Sequence, residues 1–111
     1  ILITVVETPS YLAAAKGLLL EAERREVVDL VASYPECGVS IGGGIRKVRI
    51  GIDGRGKRGG ARVVFLYAGT DIPVFLLTLF AKNEKSNLSR SEQTALAELA
   101  TKIVDDYRRK R

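Results

Sequence analysis

The stretch from residue 45 to residue 81 constrains the fold of this chain more than any other. It contains three β-rich segments, 45–52, 62–68 and 74–81, joined by a glycine-rich stretch and by an A-G-T-D turn. The first segment alternates apolar and basic residues, so it has one apolar face and one basic face, while the other two are apolar on both faces. This pattern predicts three strands of an antiparallel meander.

The part before the meander predicts a strand and two helices. Residues 1–7 are β-branched and apolar on both faces, which indicates a buried strand. A threonine and a proline then supply the N-cap and the first-turn residue of a helix. Helices are predicted over residues 9–16 and 20–33. Residues 36–44 are interpreted as a loop, because the three glycines that end this stretch favour neither helix nor strand.

The part after the meander predicts one amphipathic helix. Ser89 and Glu92 have the S-x-x-E spacing of a capping box. Apolar residues then recur at the spacing of one helical face, at Leu96, Leu99, Ala100, Ile103, Val104 and Tyr107. The predicted fold is therefore α+β in the order β-α-α-β-β-β-α. The helices pack on a twisted, mostly antiparallel four-stranded sheet, and residues 1–111 form a single domain.

Charge and residue types restrict the function. The formal net charge is +5, and seven basic residues lie between positions 46 and 62 against one acid, Asp53, which suits a polyanionic partner. The chain has no histidine, which excludes catalysis by histidine as an acid or base. The single cysteine, Cys37, favours the cytoplasm because it forms no internal disulfide. No apolar run is long enough to span a bilayer, so no membrane contact is expected.

Residues 51–62 overlap two nucleotide-binding patterns: G-x-x-x-x-G-K begins at Gly51 and G-x-G-x-x-G at Gly54. Both patterns require a helix after the glycines, whose N-terminal amides hold phosphate, whereas β-branched and aromatic residues follow here. The P-loop also needs Ser or Thr after its lysine, and this chain has Arg58. Nucleotide binding is therefore rejected. Two interpretations remain: a hairpin whose arginines bind nucleic-acid phosphates, or a solvated loop.

Three sequence blocks occur in order over residues 44–89: G-x-R-K-x-R, G-R-G-K-x-G-G-x-R-V and A-K-N-E-K-x-x-L-S. Together they resemble the RelE-like toxins of bacterial type II toxin–antitoxin pairs, in particular the HigB-type branch. The resemblance implies a cytoplasmic, ribosome-dependent endoribonuclease that cuts mRNA in the ribosomal A site, without metal or cofactor. It also implies a cognate antitoxin, usually a helix-turn-helix DNA-binding protein, through which the pair reaches operator DNA.

The resemblance also assigns residues to a reaction in which a 2′-hydroxyl attacks its own phosphate. Arg62 matches the phosphate-binding arginine of the family, and Lys57 and Lys82 are candidates for the base or for a stabiliser of the transition state. In a site without histidine, clustered cations can lower the pKa of a lysine toward a value that suits acid–base catalysis. RNA binding is assigned to Arg46, Lys47, Arg49, Arg55, Arg58, Asn83 and Lys85.

The chain departs from the family at two positions. Well-studied RelE-type enzymes carry an arginine shortly after the last strand and a tyrosine a few residues later, where this chain has Asn83 and Ser89. The assignment of acid and base therefore stays open. Glu84 is a candidate for a different role, in which it pairs with a neighbouring cation and orients it. Tyr67 either stacks on a base or belongs to the core, which its strand periodicity favours.

Two other functions fit the same sequence. One is a non-catalytic basic module, a decayed toxin that binds RNA or DNA and acts mainly through its antitoxin partner. The other is a protein-interaction domain that mainly serves the antitoxin. A neighbouring gene that encodes a small helix-turn-helix protein would favour the toxin over these two alternatives.

Overall fold

The fold is built on a five-stranded sheet with helices on both faces. The computed structural model describes residues 2–52, 60–82 and 87–109. The elements in chain order are β1 (Val5–Glu7), α1 (Pro9–Ala15), α2 (Glu21–Ser33), β2 (Val39–Gly42), β3 (Ile45–Ile50), β4 (Ala61–Leu66), β5 (Val74–Ala81) and α3 (Arg90–Arg109).

The sheet has the order β1-β5-β4-β3-β2. β1 pairs with β5 in parallel, and the other three pairings are antiparallel, so that β3, β4 and β5 form the predicted meander. The α+β class and the mostly antiparallel sheet are confirmed. The described part of the chain agrees with the predicted order of elements except for one additional strand.

That additional strand is β2, and the prediction of a loop over residues 36–44 is wrong at Val39–Gly42. β2 pairs with β3, and Gly43 and Gly44 connect the two strands with φ angles of 64° and 84°. Two-residue hairpin turns with positive φ at both positions match the twist of the strands, and glycine adopts them without strain. The glycines therefore form a hairpin turn and do not interrupt the sheet.

Apolar side chains cover both faces of the sheet. On the face that carries α1 and α2, called the α1–α2 face, the core includes Tyr11, Val31, Val63, Phe65 and Leu76. On the face that carries α3, called the α3 face, the core includes Val64, Leu66, Phe75, Phe80, Leu88 and Ala100. Burying each of these larger side chains contributes roughly 1.5–3 kcal/mol, which holds the meander between the two helical layers.

Side-chain caps determine where α1 and α3 begin. Thr8 accepts a hydrogen bond from the Tyr11 amide at 3.2 Å and donates one to the Leu76 carbonyl at 2.7 Å, which ties the start of α1 to β5. At α3 the predicted capping box is confirmed: the Ser89 amide donates to Glu92 Oε1 at 2.8 Å, and the Glu92 amide donates to Ser89 Oγ at 3.2 Å.

Tyr11 is a buried polar residue on the α1–α2 face. Its side chain is fully buried, and its hydroxyl meets no hydrogen-bond partner in the described part of the chain. Burial, together with the nearby Glu7 carboxylate, raises the pKa of Tyr11 to about 12. Folding therefore opposes ionisation of this phenol.

Replacement of Tyr11 by phenylalanine is expected to remove an alkaline loss of stability. Between pH 10 and 12 the unfolded chain releases the phenolic proton that the folded chain keeps. The contribution of the Tyr11 phenol to the free energy of unfolding of the wild type is therefore complete below pH 10 and falls as pH rises. The stability of the variant relative to wild type should rise by about 1 kcal/mol from pH 7 to pH 11. Urea unfolding at both pH values measures this, and an equal difference at both would contradict it.

Candidate functional site

The cations of β3 lie on opposite faces of the sheet. Ile45 packs in the core of the α3 face, whereas Val48 packs on the α1–α2 face. Successive side chains of a strand point to opposite faces. Lys47 and Arg49 therefore lie on the α3 face, together with Ile45. Arg46 lies on the α1–α2 face.

Arg62 lies directly opposite Arg49 in the pairing of β3 with β4. Its neighbour Val63 is buried on the α1–α2 face, so Arg62 lies on the α3 face. Directly opposed residues of antiparallel strands have Cβ atoms about 4.5–5.5 Å apart. The side chains of Arg49 and Arg62 thus leave the sheet next to each other, and Lys47 lies two residues along β3. We call Lys47, Arg49 and Arg62 the basic face.

Lys82 lies at the end of the sheet nearest to Arg62. It follows the last residue of β5, and its amide donates a hydrogen bond to the Gly60 carbonyl at 3.0 Å. Gly60 comes two residues before Arg62, so Lys82 is beside the start of β4. The structure therefore brings together Arg62 and Lys82, two of the three residues predicted to take part in catalysis.

The C-terminal part of α3 lies at the other end of the sheet. The rings of Tyr107 and Phe75 contact each other edge to face with centroids 5.5 Å apart. Arg108 pairs with Asp71 at 3.2 Å and donates to the Ala68 carbonyl at 2.9 Å. Phe75 is near the start of β5, whereas Arg62 and Lys82 are near its end. This part of α3 therefore does not cover the end of the sheet where Arg49 pairs with Arg62.

Arg46 has a different environment from the cations of the basic face. Its Nη2 donates to the Glu36 carbonyl at 2.7 Å and to the Gly38 carbonyl at 3.3 Å, and its Nε donates to the Cys37 carbonyl at 3.1 Å. One planar group with several donors can satisfy a curved segment of backbone in this way. Arg46 holds residues 36–38 against β3.

Several predicted site residues lie outside the described residues. They are Arg55, Lys57, Arg58, Asn83 and Lys85, and Glu84 also belongs to this group. Gly60 follows the first of the two segments concerned, and Lys82 precedes the second. Gly60 and Lys82 are themselves described, and their hydrogen bond places both residues near Arg62.

Three other residues have clear structural surroundings. Tyr67 is half-buried against the core of the α1–α2 face, in agreement with its strand periodicity. Ser89 is the N-cap of α3. Burial raises the pKa of the Cys37 thiol, which opposes formation of a reactive thiolate. Across residues 2–52, 60–82 and 87–109, no three His, Cys, Asp or Glu side chains are grouped to hold a metal ion.

One residue near the basic face was missed by sequence reasoning. Asn87 Oδ1 accepts a hydrogen bond from Lys47 Nζ at 3.2 Å, across 40 positions of sequence. A single asparagine before a helix does not predict such a contact in the sequence. The contact depends on the tertiary structure, which places residue 87 beside β3.

The comparison with protein families supports the resemblance found in the sequence. The model for the RelE toxin of the RelE/RelB toxin–antitoxin system matches residues 25–110. The match includes most of α2, the strands β2 to β5 and α3, and with them every residue of the basic face. The HigB-type branch stays a prediction. Among the described helices, none combines the length and the apolar character needed to cross a membrane. Because the match covers well over half of its length, this chain belongs to the RelE toxin family of toxin–antitoxin systems.

Proposed function

We propose that this toxin is an endoribonuclease that cuts mRNA in the A site of the translating ribosome and so inhibits translation. The observation that carries this proposal is the cross-strand pair of Arg49 and Arg62 on one face of the sheet, with Lys47 two residues away. A group of cations on one face of the sheet attracts a polyanion, so the arrangement favours an RNA backbone as ligand.

The proposed reaction is attack of a ribose 2′-oxygen on the adjacent phosphorus. The 2′-hydroxyl loses its proton to a base, the bond from phosphorus to the 5′-oxygen breaks, and that oxygen receives a proton from an acid. The products are a 2′,3′-cyclic phosphate and a 5′-hydroxyl. Between attack of the 2′-oxygen and departure of the 5′-oxygen, negative charge builds up on the phosphate. Fixed cations stabilise this charge most in the transition state.

Each cation has a proposed role. Arg62 binds the scissile phosphate and stabilises its charge, since arginine stays protonated and does not serve as a base. Lys57 and Lys82 are the candidates for the base or for a second stabilising cation. Lys47 and Arg49 bind the RNA backbone, and the proposal assigns the same role to Arg55, Arg58, Asn83 and Lys85. Arg46, which sequence analysis placed among the RNA-binding residues, is proposed to act by holding residues 36–38.

An antitoxin follows from the family, and we propose that it is a helix-turn-helix protein encoded beside this toxin. Through that protein, the complex would bind operator DNA and repress the shared operon. This agrees with the resemblance to the HigB-type branch.

A second candidate function is a non-catalytic RNA-binding module. It is favoured by Ser89, which stands near the position of a family tyrosine and whose hydroxyl caps α3. The two functions predict different results in one experiment. The toxin is expressed with and without its neighbouring gene, and the 5′ ends of cellular mRNA are mapped during growth arrest. Cleavage in phase with codons supports the nuclease, whereas arrest without new mRNA ends supports the module.

A further inference from the structure

We infer that Asn87 is a positioning residue of the basic face, which holds the Lys47 ammonium in place for contact with an RNA phosphate. The inference rests on the proposed function, because it concerns how the same face binds RNA. It assigns a role to a position that the A-K-N-E-K-x-x-L-S block leaves open.

The carboxamide of Asn87 is held by two contacts. Its Oδ1 accepts from the Leu88 amide at 2.9 Å and from Lys47 Nζ at 3.2 Å. Leu88 is buried in the core of the α3 face together with Phe80. The next residue, Ser89, begins the capping box of α3. The acceptor oxygen is therefore fixed to a buried and capped part of the backbone.

The chemistry of this contact suits phosphate binding. A lysine side chain loses much rotamer entropy when a ligand immobilises it, and a pre-formed hydrogen bond removes part of that loss from the binding step. An ammonium group has three donors, so one bond to Asn87 leaves two for phosphate oxygens. Because a carboxamide is neutral, it orients Lys47 without cancelling the charge that attracts RNA.

Lys47 is placed to bind a neighbouring phosphate. It lies on the same face as Arg49, two residues along β3, which corresponds to about 7 Å along a strand. Arg49 and Arg62 form one row across the sheet, and Lys47 belongs to the next row on that face. The three cations thus provide two adjacent positions for an RNA backbone, and Asn87 orients the second.

A double-mutant cycle between Lys47 and Asn87 tests the inference. The probe is a fluorescein-labelled single-stranded RNA oligonucleotide of mixed sequence, and its affinity is measured by anisotropy over a series of KCl concentrations. Asn87→Ala should weaken binding about two- to tenfold. Lys47→Ala should weaken it further and reduce the slope of log affinity against log salt by about 0.7. In the Lys47→Ala background, Asn87→Ala should have no added effect.

Two further variants separate positioning from folding. Asn87→Asp keeps the acceptor for both hydrogen bonds but adds a negative charge, so it should keep the thermal midpoint of wild type and still weaken RNA binding. Ser89→Ala removes the cap of α3 without touching Lys47. It should therefore lower the thermal midpoint more than Asn87→Ala does and weaken RNA binding less.

Each outcome decides a different claim. If Asn87→Ala weakens binding equally with and without Lys47, Asn87 acts through the start of α3 and the inference is overturned, while the proposed function stands. If the wild-type protein binds no RNA at any salt concentration, the inference is overturned, while the proposed function is decided by cleavage of mRNA on the ribosome. Loss of the Asn87 effect in the Lys47→Ala background supports the inference.

Discussion

Arg62→Ala is expected to abolish RNA cleavage and toxicity while the protein stays folded. Removal of one group that stabilises transition-state charge typically lowers catalysis by about 10²–10³-fold. Arg62 is flanked by Ala61 and Val63, which are both fully buried on the α1–α2 face and unchanged by the substitution. The pairing of β3 with β4 should therefore persist. Growth after induction measures toxicity, and circular dichroism together with antitoxin binding measures the fold.

A matched control for Arg62 is Arg25→Ala. Arg25 is exposed on α2 and pairs with Glu21 one turn away at 3.1 Å, and such helical pairs contribute little. The substitution removes the same charge from a helix on the other face of the sheet, so toxicity should equal that of wild type.

Arg62→Lys keeps the charge and loses the two-pronged geometry, so it should retain part of the activity that Arg62→Ala loses. Full toxicity of Arg62→Ala would refute the assignment.

Gly60→Ala is expected to cause the largest loss of stability. Gly60 has a φ of 68°, which L side chains rarely adopt, and a Cβ added there would overlap the Ile50 carbonyl. That carbonyl belongs to the last residue of β3, so β3 and the start of β4 would have to separate. Strain and overlap together should lower the free energy of unfolding by about 2–4 kcal/mol. Because Arg62 is two residues away, cleavage should fall as well.

Gly51→Ala is the control for Gly60. A Cβ at Gly51 would meet no heavy atom of the described residues within 4 Å, and its φ lies outside the positive range. Urea unfolding should show Gly51→Ala close to wild type and Gly60→Ala far less stable. Equal stability of the two variants would mean that Gly60 does not require its positive φ.

The meander and the start of α3 were predictable because their signals are local. Alternation along β3 and the S-x-x-E spacing of Ser89 and Glu92 depend on residues adjacent in sequence. β2 was missed because three glycines were interpreted as a break. Two of them form the tight turn that places Val39–Gly42 beside β3.

The candidate site was predictable only in part. The alternation that places Lys47 and Arg49 on one face also places Arg46 on the other, so its separation from the basic face was implicit in the sequence. The contact of Arg46 with residues 36–38 was not, because it depends on how that segment curves. The pairing of Lys47 with Asn87 depends on tertiary structure for the same reason.

The most direct test of the proposed nuclease function is cleavage of mRNA on a ribosome by the purified toxin. Two mRNAs are compared, an all-ribose molecule and one in which the nucleotide before the cleaved bond lacks its 2′-hydroxyl. We expect cleavage of the first, with a 2′,3′-cyclic phosphate on the upstream product, and no cleavage of the second at that bond. Failure to cut the all-ribose mRNA, or equal cleavage of both, would contradict it.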